Sequence, residues 1–455
     1  MEDRRMIVMK FGGTSLGDAE RIVAVSEILR ARLDRRPVVV LSAMAGVTDL
    51  LLDAVTAARA GDREALDAVV GELAKRHRWA VSGTMQDPTH RHDLNLELDA
   101  IFEELRQLLR SVRILGEGTP RAADTLLSYG ELLSTRIATA AFAERGLPVR
   151  WIDAREIMIT DGRHGEAEPD ADAVAARCRE RLAPSLDAGE LPVIGGFVGA
   201  SPAGDTTTLG RGGSDTSAAV LGAALEAEEI QIWTDVEGLM TADPRSVEHA
   251  RRLPSVSFAE AADLAYYGAK VLHPGSISPA VKRNIPVRIL NSLDPGGPGT
   301  VILDRAESGA PPVASIASRR GAVAVRVVER RMRMDPGFLP RILRLLEQRG
   351  VVPELAVSSE VAVTLVISGQ VDSDSLAAAL ASEAEIDRID DLAIVCVVGS
   401  ALASDPEVRR RVARALAALE PTVMALGARA TSAAVAIPVS RLESAVRELH
   451  REFFE

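Results

Sequence analysis

Arg5-Met6-Ile7-Val8-Met9-Lys10-Phe11-Gly12-Gly13-Thr14-Ser15 reads as a short apolar strand running straight into a glycine turn. Ser15 or Asp18 can cap the helix that follows, because Ile22, Val25, Ile28 and Leu29 recur at the spacing of one helical face. The reading sets Lys10 at the carboxyl end of the strand, beside the turn. A lysine there can neutralise charge on a transferring phosphoryl group. This is not a Walker P-loop, since the lysine precedes the glycines and no Gly-x-x-x-x-Gly-Lys-Ser/Thr run occurs in the chain. Taken alone, a strand followed by two glycines is ordinary structural punctuation.

Outward from this unit the pattern repeats. Pro37–Ser42, Leu191–Gly199, Glu229–Thr234 and Ile285–Leu290 are further apolar runs, separated by helical stretches. Continuous apolar strands alternating with helices indicate a mainly parallel sheet covered on both faces. Sites in such sheets gather at the carboxyl ends of the strands. Lys10, Ser42, Gly195 and Thr234 all fall at or near such ends, which converge on one edge. Residues from about 50 to 145 read as largely helical, with Leu94, Leu98, Ile101, Leu105 and Leu108 spaced as plain core packing. His77, His90 and His92 form no metal-ligand pattern and read as surface residues.

The run Thr206-Thr207-Thr208-Leu209-Gly210-Arg211-Gly212-Gly213-Ser214-Asp215 joins hydroxyls, a guanidinium, glycines and a carboxylate. Thr216 to Ala224 then reads as a helix, so the glycine turn delivers its amides to a helix N-terminus, an anion site. Arg211 can grip a carboxylate or phosphate in two-pronged fashion. Asp215 adds a negative charge that affinity for an anion does not need, which points to chemistry on a phosphate. Its simpler reading is a helix cap.

At 455 residues the chain exceeds one ordinary domain, and 47% hydrophobic with 26% charged residues describes a soluble globular protein. A net charge of -12 argues against nucleic acid or an anionic membrane as main partner. Cys178 and Cys396, the only cysteines, lie far apart; a reduced, cytoplasmic setting fits and no metal site is implied. The N-terminus carries no signal pattern, and the uncharged stretch Leu392 to Ala403 falls short of the roughly 20 residues of a membrane-spanning helix.

Lys10 to Ser15 and Thr206 to Asp215, taken with Ser128-Tyr129-Gly130-Glu131-Leu132-Leu133-Ser134, Trp233-Thr234-Asp235-Val236-Glu237-Gly238 and Gly268-Ala269-Lys270-Val271-Leu272-His273-Pro274, resemble the aspartokinases of the amino acid kinase superfamily. The likeness is strongest to their lysine-sensitive, monofunctional branch. It implies a three-layer αβα amino acid kinase fold followed by two ferredoxin-like ACT domains, and a homodimer paired through those domains. The C-terminal third supports the second element. Its strand and helix patterns from Ala322 to Ser382 nearly repeat from Leu392 to Phe453, each unit approximating βαββαβ. The expected boundaries are 1–305 for the catalytic domain, 306–321 for a linker, 322–390 for the first ACT domain and 391–455 for the second.

The resemblance implies transfer of the ATP γ-phosphoryl group, with Mg2+, to the side-chain carboxylate of L-aspartate. The product is 4-phospho-L-aspartate, made in the first step of aspartate-family amino-acid biosynthesis. A carboxylate is already ionised near neutral pH, so positioning and electrostatics carry the work. The family's motifs assign catalysis to Lys10 and Asp215. They assign aspartate to Ser42, Thr48, Glu131, Arg211, Gly212, Gly213 and Ser214, with Arg211 on the α-carboxylate and Glu131 on the α-ammonium. The nucleotide falls to Lys10, Gly12, Gly13, Thr234, Asp235, Met240, Arg245, Lys270 and Val271; Met240 stands where relatives often carry an aromatic residue. His273 reads as structural. An amino-acid effector falls to Met332, Asp335, Gly337, Phe338, Leu339, Pro353, Glu354, Ser358 and Ser359. A kinase for another amino acid and a catalytically silent amino-acid sensor are the alternatives on the same fold.

Overall fold

The computed structural model describes residues 6–268, 273, 275–306, 311–329, 337–359, 361–368, 378–379, 384–427 and 429–455. The chain divides into two bodies: Met1–Gly238 with Val271–Asp304, and Leu239–Lys270 with Arg305–Glu455.

The first body is built on the strands β1 (Ile7–Phe11), β2 (Pro37–Leu41), β3 (Val149–Ile152), β4 (Leu191–Gly195), β5 (Val198–Ala200), β6 (Thr206–Thr208), β7 (Glu229–Thr234), β8 (Val287–Asn291) and β9 (Thr300–Leu303). Within its main sheet they stand in the order β3-β4-β2-β1-β7-β8-β9. Every pairing from β3 to β8 is parallel, and β9 pairs antiparallel to β8. All five residues of β1 and of β2 are buried. This is what continuous apolar runs become when helices cover both faces, and the three-layer αβα architecture is as expected. Trp233 of β7 is fully buried, stacked on Phe11 of β1 with ring centroids 5.7 Å apart.

The main apolar core lies between these strands and the helices α1 (Ala19–Arg30), α2 (Val47–Arg59), α3 (Arg63–Thr84), α4 (Pro88–Leu115) and α5 (Pro120–Glu144). Asp18, not Ser15, caps α1, accepting from the Arg21 N–H. On α4, Leu94, Leu98 and Leu105 are buried, with Ile101 and Leu108 packed at the margin. His90 and His92 are exposed, but His77 is a correction to the surface reading. It is fully buried on α3, with Nδ1 2.7 Å from the Leu73 carbonyl and its ring edge-on to Phe102. Its carbonyl partner lies one turn back on the same helix, so a single local bond reduces the cost of burying the ring.

Strands β5 and β6 form a separate antiparallel hairpin, and the glycine turn after β6 enters α6 (Gly213–Ala224). That helix begins three residues earlier than Thr216, with Gly212 as its N-cap at φ +69°. Asp215 therefore sits inside the first turn and is not the cap.

The second body contains α7 (Phe258–Tyr266) and an antiparallel sheet of β10 (Ser315–Glu329), β11 (Leu355–Ser358), β12 (Ala362–Ser368), β13 (Ala384–Val398), β14 (Val423–Leu426) and β15 (Ser432–Pro438). The order is β11-β12-β10-β13-β15-β14. The two fifteen-residue strands β10 and β13 pair along their length, with register shifts around Gly321, whose φ is +79°. Both ferredoxin-like units thus share one sheet. Helix α8 (Phe338–Gln348) covers the core of Val325, Val327, Val363 and Leu365. Helices α9 (Pro406–Ala417) and α10 (Leu442–Phe454) cover that of Ile316, Val395, Val397 and Val435. Ser315–Arg320, inside the stretch expected to connect the domains, pairs with Ala393–Val398. Ala242 and Val247 join the same core.

Residues 369–377 and 380–383, in the first of the two repeats, lie outside the described residues, as do Lys270, Val271, Met332 and Asp335. No described helix is long and apolar enough to cross a membrane.

Candidate active site

Because β1, β2, β4 and β7 are parallel, their carboxyl ends lie along one edge. Two backbone bonds tie that edge together: Ser42 N–H donates to Phe11 O at 3.1 Å, and Gly12 N–H to Trp233 O at 3.0 Å. Gly13 is required where it stands, since a Cβ would lie 2.9 Å from the Ala43 carbonyl oxygen. Only the missing side chain lets the turn after β1 lie against the turn after β2.

A cleft of about 340 Å3 opens at this edge. Lys10, Gly13, Ser42, Thr48, Glu131, Gly212, Gly213, Ser214 and Asp215 all line it. Nine residues chosen from distant parts of the sequence therefore meet in one cleft. Lys10 Nζ stands 2.5 Å from Asp215 Oδ1, and both side chains are almost wholly buried. The strand thus presents a cation and the first turn of α6 its counter-charge. That same turn brings the amino end of the helix dipole to the cleft, which favours anions there.

Glu131 enters the cleft from α5. It is 4% exposed; Oε1 accepts the Ala43 N–H at 3.1 Å, and Oε2 has no hydrogen-bond partner among the described residues. Burial pushes its carboxyl up to about 8, although the Ala43 N–H and the Lys10 charge both pull downward. A buried carboxyl with one open oxygen is built to meet a cation. Ser134, one turn further along α5, donates its hydroxyl to the Ser42 carbonyl at 2.7 Å, fixing helix against strand end.

Arg211 is exposed on the turn between Gly210 and Gly212 and is not part of the lining. Thr234 ends β7 and Asp235 follows it, with the Thr234 hydroxyl 3.2 Å from the Asp235 carboxylate. Gly12 sits next to them through its bond to Trp233. Met240 and Arg245 belong to the second body, where the Met240 carbonyl accepts from Ser315 Oγ and exposed Arg245 pairs with Asp243 at 2.7 Å.

Phe197 and Ala43 were not singled out from the sequence, yet both line the cleft. Phe197 holds φ at +64°, a strained conformation for a bulky residue, pinned by its N–H to Ser217 Oγ and its carbonyl to Leu209 N–H. The Gly195-Gly196 pair before it was the available signal. A Cβ on Gly196 would lie 2.7 Å from Ser214 Cβ, so this turn and the start of α6 are in close contact.

Comparison with known proteins agrees with this fold. Residues 5–291 match the model of the amino acid kinase family. The chain is 34% identical to the lysine-sensitive aspartokinase 3 of Escherichia coli K12, over 99% of each chain. It is 33% identical to the chloroplastic aspartokinase 1 of Arabidopsis thaliana, over 98% of this chain and 80% of that one. The chain belongs to the aspartokinases. The structure of E. coli aspartokinase III with aspartate and ADP superposes with a TM-score of 0.84 at 32% identity, covering 99% of this chain and 100% of that one.

In this aspartokinase the positions expected to meet an effector are also partly described. Gly337 caps α8, Phe338 is buried and Leu339 is partly exposed. Ser358 and Ser359 are exposed at the end of β11. Pro353 accepts from the Tyr266 hydroxyl at 3.3 Å, and Glu354 is held by Arg319 at 2.7 Å.

Proposed function

We propose that this aspartokinase uses the cleft at the ends of β1 and β2 to bring ATP and L-aspartate together, giving 4-phospho-L-aspartate. The E. coli relative is known in complex with aspartate and ADP, and with lysine and aspartate. The observation that carries the reading is Glu131: a buried carboxyl with one open oxygen, in the same cleft as the Lys10–Asp215 pair.

In this reading Glu131 takes the α-ammonium of the substrate and the Arg211 guanidinium its α-carboxylate. The side-chain carboxylate is left free beside Lys10. Ser42 and Thr48 offer hydroxyls on the substrate side, and Gly212, Gly213 and Ser214 offer backbone approach at the start of α6. Lys10 neutralises charge on the transferring phosphoryl group, and Asp215 holds the ammonium in place. No proton has to be removed from the attacking carboxylate, so catalysis is positioning and charge stabilisation.

The nucleotide reading gives Gly12 and Gly13 the phosphates and Thr234 and Asp235 the nucleoside side, with Met240, Arg245, Lys270 and Val271 as further members. Among the described residues no group of three or more His, Cys, Asp or Glu side chains could hold a metal ion. In this reading a magnesium ion would be carried mainly by phosphate oxygens and water, where it would screen phosphate charge. Pairing of two chains through their ACT domains completes the reading, with an amino-acid effector bound by the second body.

A coupled assay of ADP release with a panel of amino acids, with and without magnesium, tests the proposal. Magnesium-dependent release with L-aspartate alone is expected. Release with a different amino acid, or none, would replace it with a related kinase or a silent sensor.

A further inference from the structure

Asp124 lies on α5, seven residues and two helical turns before Glu131, and is 1% exposed. Three donors from two other segments converge on its carboxylate. Thr208 Oγ1, at the end of β6, donates at 2.5 Å; Gly165 N–H donates at 3.0 Å; and His164 Nδ1 stands at 2.8 Å. With a carboxylate as partner, Nδ1 of His164 carries the proton. None of these residues lines the substrate cleft.

The bonded segments are tied to one another as well. Ala167 N–H donates to the Thr208 carbonyl at 2.9 Å, and the hydroxyls of Thr160 and Thr207 meet at 2.9 Å. Gly210, two residues beyond Thr208, holds φ at +70° against this loop. A Cβ on it would lie 3.2 Å from the Gly165 carbonyl oxygen. The loop at 164–167 is therefore the bed of the glycine turn that carries Arg211.

We propose that Asp124 is a positioning residue that fixes the distance between Glu131 and Arg211, and so the recognition of an α-amino acid by both its charged ends. The inference rests on the roles given above to those two residues. Its physical basis is the lever. Asp124 is in the helix that carries Glu131, and its three hydrogen bonds hold the strand and loop that set Arg211. A charged acceptor makes each bond stronger than a neutral one, and burial keeps water from replacing it. Substrate that engages only one end gains nothing from the brace, whereas a zwitterion gains from both.

The test compares KM for aspartate, KM for ATP and kcat in Asp124→Asn, Thr208→Val, His164→Phe and His164→Asn, with melting temperature and calorimetric aspartate binding measured alongside. His164 is partly exposed, so its variants keep the fold testable if Asp124→Asn unfolds. KM for aspartate is expected to rise about tenfold or more in Asp124→Asn and His164→Phe, as loss of charged hydrogen bonds implies. KM for ATP is expected to stay within about twofold, because the nucleotide does not use the brace. His164→Asn, which keeps a donor, is expected to recover most of the loss. Equal changes in both KM values, a fall in kcat alone, or no rescue by asparagine would overturn the proposal and reduce Asp124 to a packing residue. A wild-type protein that releases no ADP with aspartate would instead overturn the function on which the inference rests.

Discussion

Lys10 Nζ and Asp215 Oδ1 meet at 2.5 Å, although 205 residues separate them, and they join the end of β1 to the first turn of α6. Both are buried, so neither charge is screened by solvent and each depends on the other. Lys10→Ala and Asp215→Ala are each expected to lower kcat by about 10²–10³-fold, the usual effect of losing a preorganised charge at a reacting centre. Each single variant also strands a buried charge, so each is expected to melt lower than the double variant, which is stable but inactive. A folded single variant that keeps more than about a tenth of wild-type kcat would remove that residue from the chemistry.

Substrate recognition separates from catalysis in the next pair of variants. Arg211→Lys is expected to raise KM for aspartate more than KM for ATP, because an ammonium cannot reproduce a two-pronged grip on a carboxylate. Glu131→Gln is expected to do the same by removing the counter-charge of the α-ammonium. Steady-state kinetics with each substrate varied in turn decide the matter. Loss of ATP affinity alone in both variants would move these residues to the nucleotide side.

Glu131 also makes activity and stability depend on pH in opposite senses. Its carboxyl, pushed up to about 8 by burial, is largely protonated near neutral pH when the cleft holds no cation. Binding an ammonium requires the ionised form. KM for aspartate is therefore expected to fall by up to tenfold per unit as pH rises toward 8, and to level off above it. The folded protein binds this proton more tightly than the unfolded chain, where a Glu titrates near 4.5. This carboxyl's contribution to stability is thus lost progressively from about pH 4.5 to 8. Glu131→Gln is expected to abolish that component and to raise the melting temperature at pH 8. Melting curves across the pH range, identical in slope for wild type and variant, would show that Glu131 is not the group responsible.

Much of the architecture was legible because its signals are local. Continuous apolar runs marked β1, β2, β4 and β7, and parallel pairing then forced Lys10, Ser42, Gly195 and Thr234 onto one edge. What stayed hidden depends on contacts between distant segments. His77 is polar, and although it shares the helical face of Val70, Leu73, Ala74 and Val81, its packing partner Phe102 comes from another helix. The start of α6 at Gly213 was masked by glycines, which give no helical signal. Asp124 looks like any acid on a helix until β6 and the 164–167 loop fold onto it. Nothing in Leu239–Lys270 marks it as part of the second body, because Ala242 and Val247 are apolar residues that any core would accept.

Glu354, one of the positions expected to meet an effector, has a partner in the structure that the sequence did not show. The E. coli relative is known with lysine bound. In this chain Glu354 is drawn into an ion pair with Arg319 at 2.7 Å, with its side chain only 6% exposed. A lysine ammonium arriving there would exchange one ion pair for another and gain little net free energy. Pro353, beside it, has no N–H to offer an effector carboxylate. An effector shifts an equilibrium only by its preference for one state, so weak contacts mean weak inhibition. Lysine is accordingly expected to bind and inhibit poorly, and Arg319→Ala, which releases the Glu354 carboxylate, to strengthen lysine binding. Calorimetry with lysine, threonine and methionine on wild type and variant measures both effects. Low-micromolar lysine binding that inhibits the wild-type enzyme would show that Arg319 yields Glu354 to the effector, and that the ion pair is no barrier.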